Sequence, residues 1–108
     1  MAAHYIDDVR AVTKLIPPGR VSTYGAIADF LTLGSARMVG WALFRGVTVT
    51  DDIPAHRVVN RRGELSGRNH FSTPTLMQER LEEEGVTIRD SVVVDFDRVF
   101  WSPNELLT

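Results

Sequence analysis

The sequence of 108 residues contains no cysteine. That absence removes disulfides, thiolate metal sites and any thiol nucleophile. Histidine is sparse as well. His4, His56 and His70 are scattered along the chain, so no metal-ligand spacing is present, and neither a metal nor another cofactor is expected. No apolar run approaches the roughly 20 residues needed to cross a bilayer. The opening Met-Ala-Ala-His-Tyr-Ile-Asp-Asp has no basic segment leading into an apolar one. The expectation is a cytoplasmic protein that does not engage membranes. An excess of positive charge is also missing: the formal net charge is −2, whereas nucleic-acid binders are usually basic.

What is present qualifies that last point. Residues 20–68 hold seven arginines against four acids, and residues 69–108 hold three arginines against eight acids. The middle of the chain is basic and the tail acidic. With no internal repeat, low-complexity tract or linker in view, residues 1–108 are expected to form one domain with a modest core.

Apolar residues at Ile6, Val9, Val12, Leu15 and Ile16 share one face of a helix over residues 5–16, and Pro17-Pro18-Gly19 stops it. Ser22 or Thr23 suits the N-cap of a short helix over residues 24–31. Leu33-Gly34 ends it, and Ser35 opens a second helix to Phe44 with Met38, Val39, Ala42 and Leu43 on its apolar side. Two short helices joined by a tight glycine turn read as a helix-turn-helix, the second being the recognition helix. Val58-Val59 and Glu64-Leu65 flank Asn60-Arg61-Arg62-Gly63, the expected β-turn of a small wing. Residues 66–72 read as loop. Thr73-Pro74 then serves as N-cap and first residue of a helix carrying Leu76, Met77 and Leu81, which closes at Glu84 with Gly85 at C′. Residues 86–88 and 92–96 suggest a terminal hairpin. Phe100 and Trp101 are expected to pack back on the core, and the last residues to fray. The expected fold class is mainly α with a small β wing, a single-domain winged helix-turn-helix.

The chemistry concentrates in Ile53-Pro54-Ala55-His56-Arg57-Val58-Val59. Pro54 stiffens the approach, His56 can exchange a proton near neutral pH, and Arg57 can clamp an anion. Ala55 stands between them, where a nucleophile would belong, and its methyl group does no polar chemistry.

This segment resembles the Pro-Cys-His-Arg-Val active-site motif of the O6-alkylguanine-DNA alkyltransferases, with the cysteine replaced. The resemblance runs over about residues 9–84 and includes Ile16-Pro17-Pro18-Gly19-Arg20-Val21-Ser22-Thr23-Tyr24-Gly25, Ala36-Arg37-Met38-Val39-Gly40 and Arg45-Gly46. Several motifs in one order make it specific. The chain is similar to the alkyltransferase-like proteins, the branch that binds alkylated guanine without repairing it.

That resemblance implies a set of roles. The target guanine must leave the stack to be inspected. Tyr24 would push the phosphate and rotate the nucleotide, and Arg37 would fill the vacated space. Ser35, Ala36, Arg37 and Arg45 would place the second helix in the minor groove of double-stranded DNA. Tyr24, Ala55, Val58, Val59, Leu65, Ser66 and Arg68 would line the lesion pocket, with the Arg68 guanidinium stacked on the base. A solvent- or phosphate-facing Arg68 is the competing reading, as a solvated charge is for Arg37 and a half-buried structural ring for Tyr24. His56 and Glu84 match the base and orienting acid of the transferases and would persist as structure. Transferases carry Arg-Gly-Asn where this chain has Arg45-Gly46-Val47, which fits a relaxed catalytic constraint, and the extra N-terminal domain of full-length transferases has no expected counterpart. The implied function is non-enzymatic recognition of O6-alkylguanine in duplex DNA, by a monomer, marking the lesion for nucleotide excision repair proteins. The alternative is a winged-helix regulator that reads DNA sequence. A hydrolase using His56 and Glu84 lacks a Ser or Thr at the nucleophile position.

Overall fold

The computed structural model describes residues 2–44 and 52–107. Helix α1 (Ala2–Lys14) lies against α2 (Tyr24–Phe30) and α3 (Ala36–Phe44). Val9, Val12, Ile16, Ile27, Val39, Ala42 and Leu43 close the core between them. Leu15 departs from the expected stripe and is 53% exposed. The helix has already ended at Lys14, and the tight bonds Leu15 N–H to Val12 O and Ile16 N–H to Thr13 O turn Leu15 outward. Thr13 is buried in its stead, its hydroxyl donating to Val9 O at 2.7 Å.

Thr23 caps α2: its backbone is extended and its hydroxyl accepts from the Ala26 N–H at 3.0 Å. The turn into α3 is not the glycine turn expected. Thr32 takes the left-handed conformation (φ 54°), while Gly34 is not among the positive-φ residues. The Leu33 N–H donates back to Ala28 O at 2.8 Å, which closes α2 before Gly34 is reached.

The wing also differs from expectation. Two-residue strand β1 (Ser22–Thr23) pairs in parallel with β2 (Val58–Val59), Ser22 opposite Val58 and Thr23 opposite Val59. Asn60–Gly63 does form the turn: the Asn60 side-chain oxygen accepts from the Arg62 and Glu64 N–H groups, and Gly63 sits at φ 78°. Beyond it the chain leaves β2. Glu64 bridges to Val92, and the Leu65 N–H donates to Ser91 O at 2.9 Å. The turn therefore links two small sheets, the second being the terminal hairpin of β3 (Ile88–Arg89) and β4 (Val92–Val93). Asp90 and Ser91, both at positive φ, make its two-residue turn.

Between these, α4 (Leu76–Glu83) buries Met77 and Leu81. Its cap residue is Thr75, two residues after the expected Thr73, because the first helical bond runs from the Glu79 N–H to Thr75 O. The far end matches the sequence reading: Gly85 at φ 91° lets its own N–H reach Glu82 O, and the Val86 N–H reach Leu81 O. A four-residue helix α5 (Phe96–Val99) follows. Trp101 is buried in the first core cluster. Through Leu107 the tail, expected to fray, is helical. Residues Pro103–Leu107 form a 3-10 stretch, and Arg20 ties it down through Phe100 O and the Glu105 carboxylate.

Candidate nucleic-acid interface

Pro54 (φ −77°, ψ 63°) makes an inverse γ-turn, closed by the Ala55 N–H on Ile53 O at 2.7 Å. One 3-10 turn over Ala55–Arg57 then feeds β2. The turn points His56 and Arg57 at the end of α4, where Glu84 is the cap residue. His56 Nε2 lies 2.9 Å from Glu84 Oε2, and Arg57 donates to the same carboxylate from Nε (3.0 and 3.1 Å) and Nη2 (2.6 Å). The Gly19 N–H reaches Glu84 Oε1 at 3.2 Å, and Arg57 Nη1 donates to Ile16 O at 2.8 Å. The anion that Arg57 clamps is thus an internal one. Burial pushes the Glu84 carboxyl up, but hydrogen bonds from Arg57, His56 and Gly19, with the charge that His56 gains in acid behind them, overcome it and hold the group at about 2. Burial pushes His56 below its usual value, and Glu84 restores only part of the loss. A neutral His56 beside a carboxylate carries its proton on Nε2. Its Nδ1, buried, has no partner among the described residues.

Parallel pairing of β1 with β2 brings the start of α2 to the same end of the molecule. Tyr24, first residue of α2, stands there against α3 and the loop after the wing. Together they border an open pocket of about 560 Å³, lined by Tyr24, Ala36, Arg37, Gly40, Trp41, Phe44, Ser66, Gly67 and His70. A Cβ at Gly67 would lie 2.9 Å from both the tip of the Phe44 ring and the Tyr24 hydroxyl, so those side chains would have to shift to admit one. Burial pushes the Tyr24 phenol above its usual value, and the hydrogen bond with Ser66 offsets part of this. Arg37 is exposed. On the other side of Tyr24 a second depression, of about 500 Å³, is bordered by Gly25, Ala36, Asn60, Arg61, Arg62 and Glu64.

Of the side chains the sequence assigned to DNA contact, Tyr24, Ala36 and Arg37 border the pocket. Ser35 is exposed just ahead of α3, its carbonyl accepting from the Met38 N–H. Arg45, with Gly46 and Val47, lies outside the described residues. The pocket itself is built differently from expectation. Tyr24 and Ser66 border it, but Ala55, Val58, Val59 and Leu65 do not, being at most 1% exposed. Strand pairing turns Val58 and Val59 into the packed interior, where Ala55, Val59 and Leu65 meet Met77, Leu81 and Val93. Arg68 faces elsewhere too: its Nη1 donates to Leu65 O at 3.0 Å, and it borders a separate hollow with Glu64 and Asp90. The residues missed are Trp41, Phe44, Gly67 and His70. Trp41 was detectable, since it follows Arg37 by one helical turn. Arg61-Arg62, adjoining the motif segment, was a visible signal as well.

Residues 5–86 match the family described as 6-O-methylguanine DNA methyltransferase, DNA binding domain. The chain is 38% identical to alkyltransferase-like protein 1 of Schizosaccharomyces pombe over 93 residues, covering 82% of this chain and 85% of that protein. It is 36% identical to a DNA base-flipping protein of Escherichia coli K12, covering 84% of this chain and 69% of the relative. Among solved structures it resembles the S. pombe protein in complex with damaged DNA containing O6-carboxymethylguanine, with a TM-score of 0.81 and 34% identity over 94% of this chain and 97% of that one.

Proposed function

The chain belongs to the alkyltransferase-like proteins, built on the DNA-binding domain of 6-O-methylguanine DNA methyltransferase, and on that premise we propose that it is a non-enzymatic sensor of O6-alkylguanine in duplex DNA. The observation that carries this reading is the pocket between Tyr24 and Arg37. A protein that inspects a base outside the stack needs a pusher, a plug and a receptacle, and here one cavity wall holds candidates for all three.

In this reading α3 enters the minor groove. Ala36 and Gly40 let the helix approach closely, and Arg37, whose planar fork suits base edges, fills the gap left by the everted nucleotide. Tyr24 presses on the phosphate at the pocket mouth, with Arg61 and Arg62 of the wing turn exposed nearby to neutralise the strand. The purine enters the aromatic cavity. Alkyl transfer does not follow, because the chain has no cysteine and Ala55 takes the place of the acceptor. His56 and Glu84 remain as structure. The complex, formed by a monomer in the cytoplasm, marks the lesion for nucleotide excision repair proteins. The relatives support the reading: one is named for base flipping, and another has been solved on damaged DNA.

Competition binding tests it, with otherwise identical duplexes carrying O6-methylguanine or guanine at several salt concentrations. The modified duplex should bind more tightly, and Tyr24→Ala or Arg37→Ala should erase the difference. Equal affinity of the unaltered protein for both duplexes removes the proposal. A footprint that follows DNA sequence and ignores alkylation would indicate a winged-helix regulator.

A further inference from the structure

Five residues of α3 border the cavity: Ala36, Arg37, Gly40, Trp41 and Phe44. Their spacing, i, i+1, i+4, i+5 and i+8, puts all five on one face of the helix. They differ in depth. Ala36, Arg37 and Trp41 are exposed, while Gly40 and Phe44 are half-buried. Arg37 and Trp41, one turn apart, therefore belong to the rim of the pocket, and Phe44 lies further in. Trp41 is 45% exposed. The other large apolar side chains exposed among the described residues are Leu15, Leu106 and Leu107, and none of these belongs to the helix-turn-helix. An indole left in water on such a face gains when a partner covers it.

The charge balance indicates how that partner is held. The chain carries a net charge of −2, so bulk electrostatic attraction supplies little of its grip on a polyanion. Arg37 is the one charged side chain bordering the cavity among the described residues. A face that docks on duplex DNA with so few cations needs apolar contact. Minor-groove binders obtain it by pairing arginines with apolar side chains that wedge against the base steps. Arg37 and Trp41 present that pair one helical turn apart, and the small residues Ala36 and Gly40 on the same face let the helix come close.

Resting on the reading of α3 as the minor-groove helix, we propose that Trp41 is a DNA-contacting residue that grips the minor groove of any duplex, alkylated or not, beside the position that Arg37 fills. Discrimination then belongs to the pocket behind the rim, and Trp41 supplies affinity that the lesion does not change. Truncating a tryptophan at an interface typically weakens binding tenfold or more. Trp41→Ala should therefore bind guanine and O6-methylguanine duplexes about tenfold more weakly, with the ratio between them unchanged. Trp41→Phe should recover part of the loss on both. The indole carries no charge and displaces no counterion, so the slope of log K against log salt should be the same in Trp41→Ala as in the unaltered protein.

The assay is equilibrium titration of the three proteins against both duplexes at several salt concentrations, with acrylamide quenching of tryptophan fluorescence alongside. Trp101 is 4% exposed, so quenching in the unaltered protein reports Trp41, and either duplex should shield it to the same degree. Absence of shielding by the guanine duplex overturns the proposal, and this measurement decides it even where Trp41→Ala does not fold. A loss of affinity confined to the O6-methylguanine duplex also overturns it, by moving Trp41 into the lesion pocket. A shallower salt slope does so too, by making Trp41 a support for Arg37. Equal shielding by both duplexes, in an unaltered protein that shows no lesion preference, sinks the sensor reading and leaves this contact standing.

Discussion

Replacing Glu84 by Gln should cost about 3 kcal/mol at neutral pH, and the cost should shrink as the solution is acidified. Two routes lead to that figure. The first is geometric. One carboxylate takes hydrogen bonds from His56, Arg57 and the Gly19 N–H, and the Arg57 and Glu84 side chains are only 15% and 16% exposed. Breaking one partner of a largely buried pair costs about 3–5 kcal/mol, and partial exposure points to the lower end. The second is linkage. The carboxyl falls from 4.5 in the unfolded chain to about 2 in the folded one, worth about 3 kcal/mol at roughly 1.4 per unit. Because the folded value is the lower, the stabilisation is complete above 4.5 and is lost as the pH falls through about 2. His56 acts in the same direction: its value is depressed on folding, so acidification below 6.5 also favours the unfolded chain. Urea unfolding of Glu84→Gln and the unaltered protein, compared from about pH 7 to about pH 3, is the assay. The gap should narrow by more than half across that range, and the neutral-pH melting temperature should drop by roughly 15 °C. A gap below about 1 kcal/mol, or one that does not vary with pH, refutes the reasoning.

Two further outcomes follow from the same geometry. Gly67→Ala puts a methyl group 2.9 Å from the Phe44 ring and the Tyr24 hydroxyl, so chemical unfolding should show a loss of about 1–3 kcal/mol and lesion binding should weaken as the pocket wall shifts. Ala55→Cys places a thiol at a position 1% exposed, where apolar surroundings raise its pKa and His56 is a weakened base; intact-mass measurement after incubation with an O6-methylguanine duplex should find only a minor fraction of methylated chains, and rapid one-to-one transfer would contradict this.

The helices could be read from the sequence because their signals are local. Thr23 caps α2 with its own hydroxyl, and Gly85 supplies the left-handed residue that ends α4. Local signals also misled. Gly34 offered a turn that Thr32 makes instead, and Thr73-Pro74 offered a cap that falls to Thr75. The larger difference concerns which residues border the Tyr24–Arg37 pocket. Ala55, Val58, Val59 and Leu65 look like cavity walls when taken as a continuous motif. The parallel pairing of β1 with β2 decides where Val58 and Val59 point, and the Leu65 bond to Ser91 fixes Leu65; both join segments far apart in sequence that no periodicity connects. The aromatic wall was hidden for the same reason. Phe44 closes one helix and His70 sits in what reads as polar loop, and only the tertiary fold lays one ring on the other.

The direct bond between His56 and Glu84, in a chain with no thiol, has a mechanical role. Glu84 stands where three segments meet: the turn at Gly19, the Ala55–Arg57 turn and the end of α4. Arg57 extends the junction to Ile16 O, at the end of the segment after α1. None of those bonds involves a thiol, whereas removing the carboxylate would strand a guanidinium and a backbone donor together. Under the proposed function, Tyr24 and the loop at Ser66–Gly67 have to stay in fixed relation while a base is pulled against them. The junction meets that need from below, through the β1–β2 pairing that joins the Ala55–Arg57 turn to the start of α2. Its acid sensitivity and the lesion preference should therefore be linked: conditions that protonate Glu84 should loosen the pocket before the helices around Val39 and Ile27 give way.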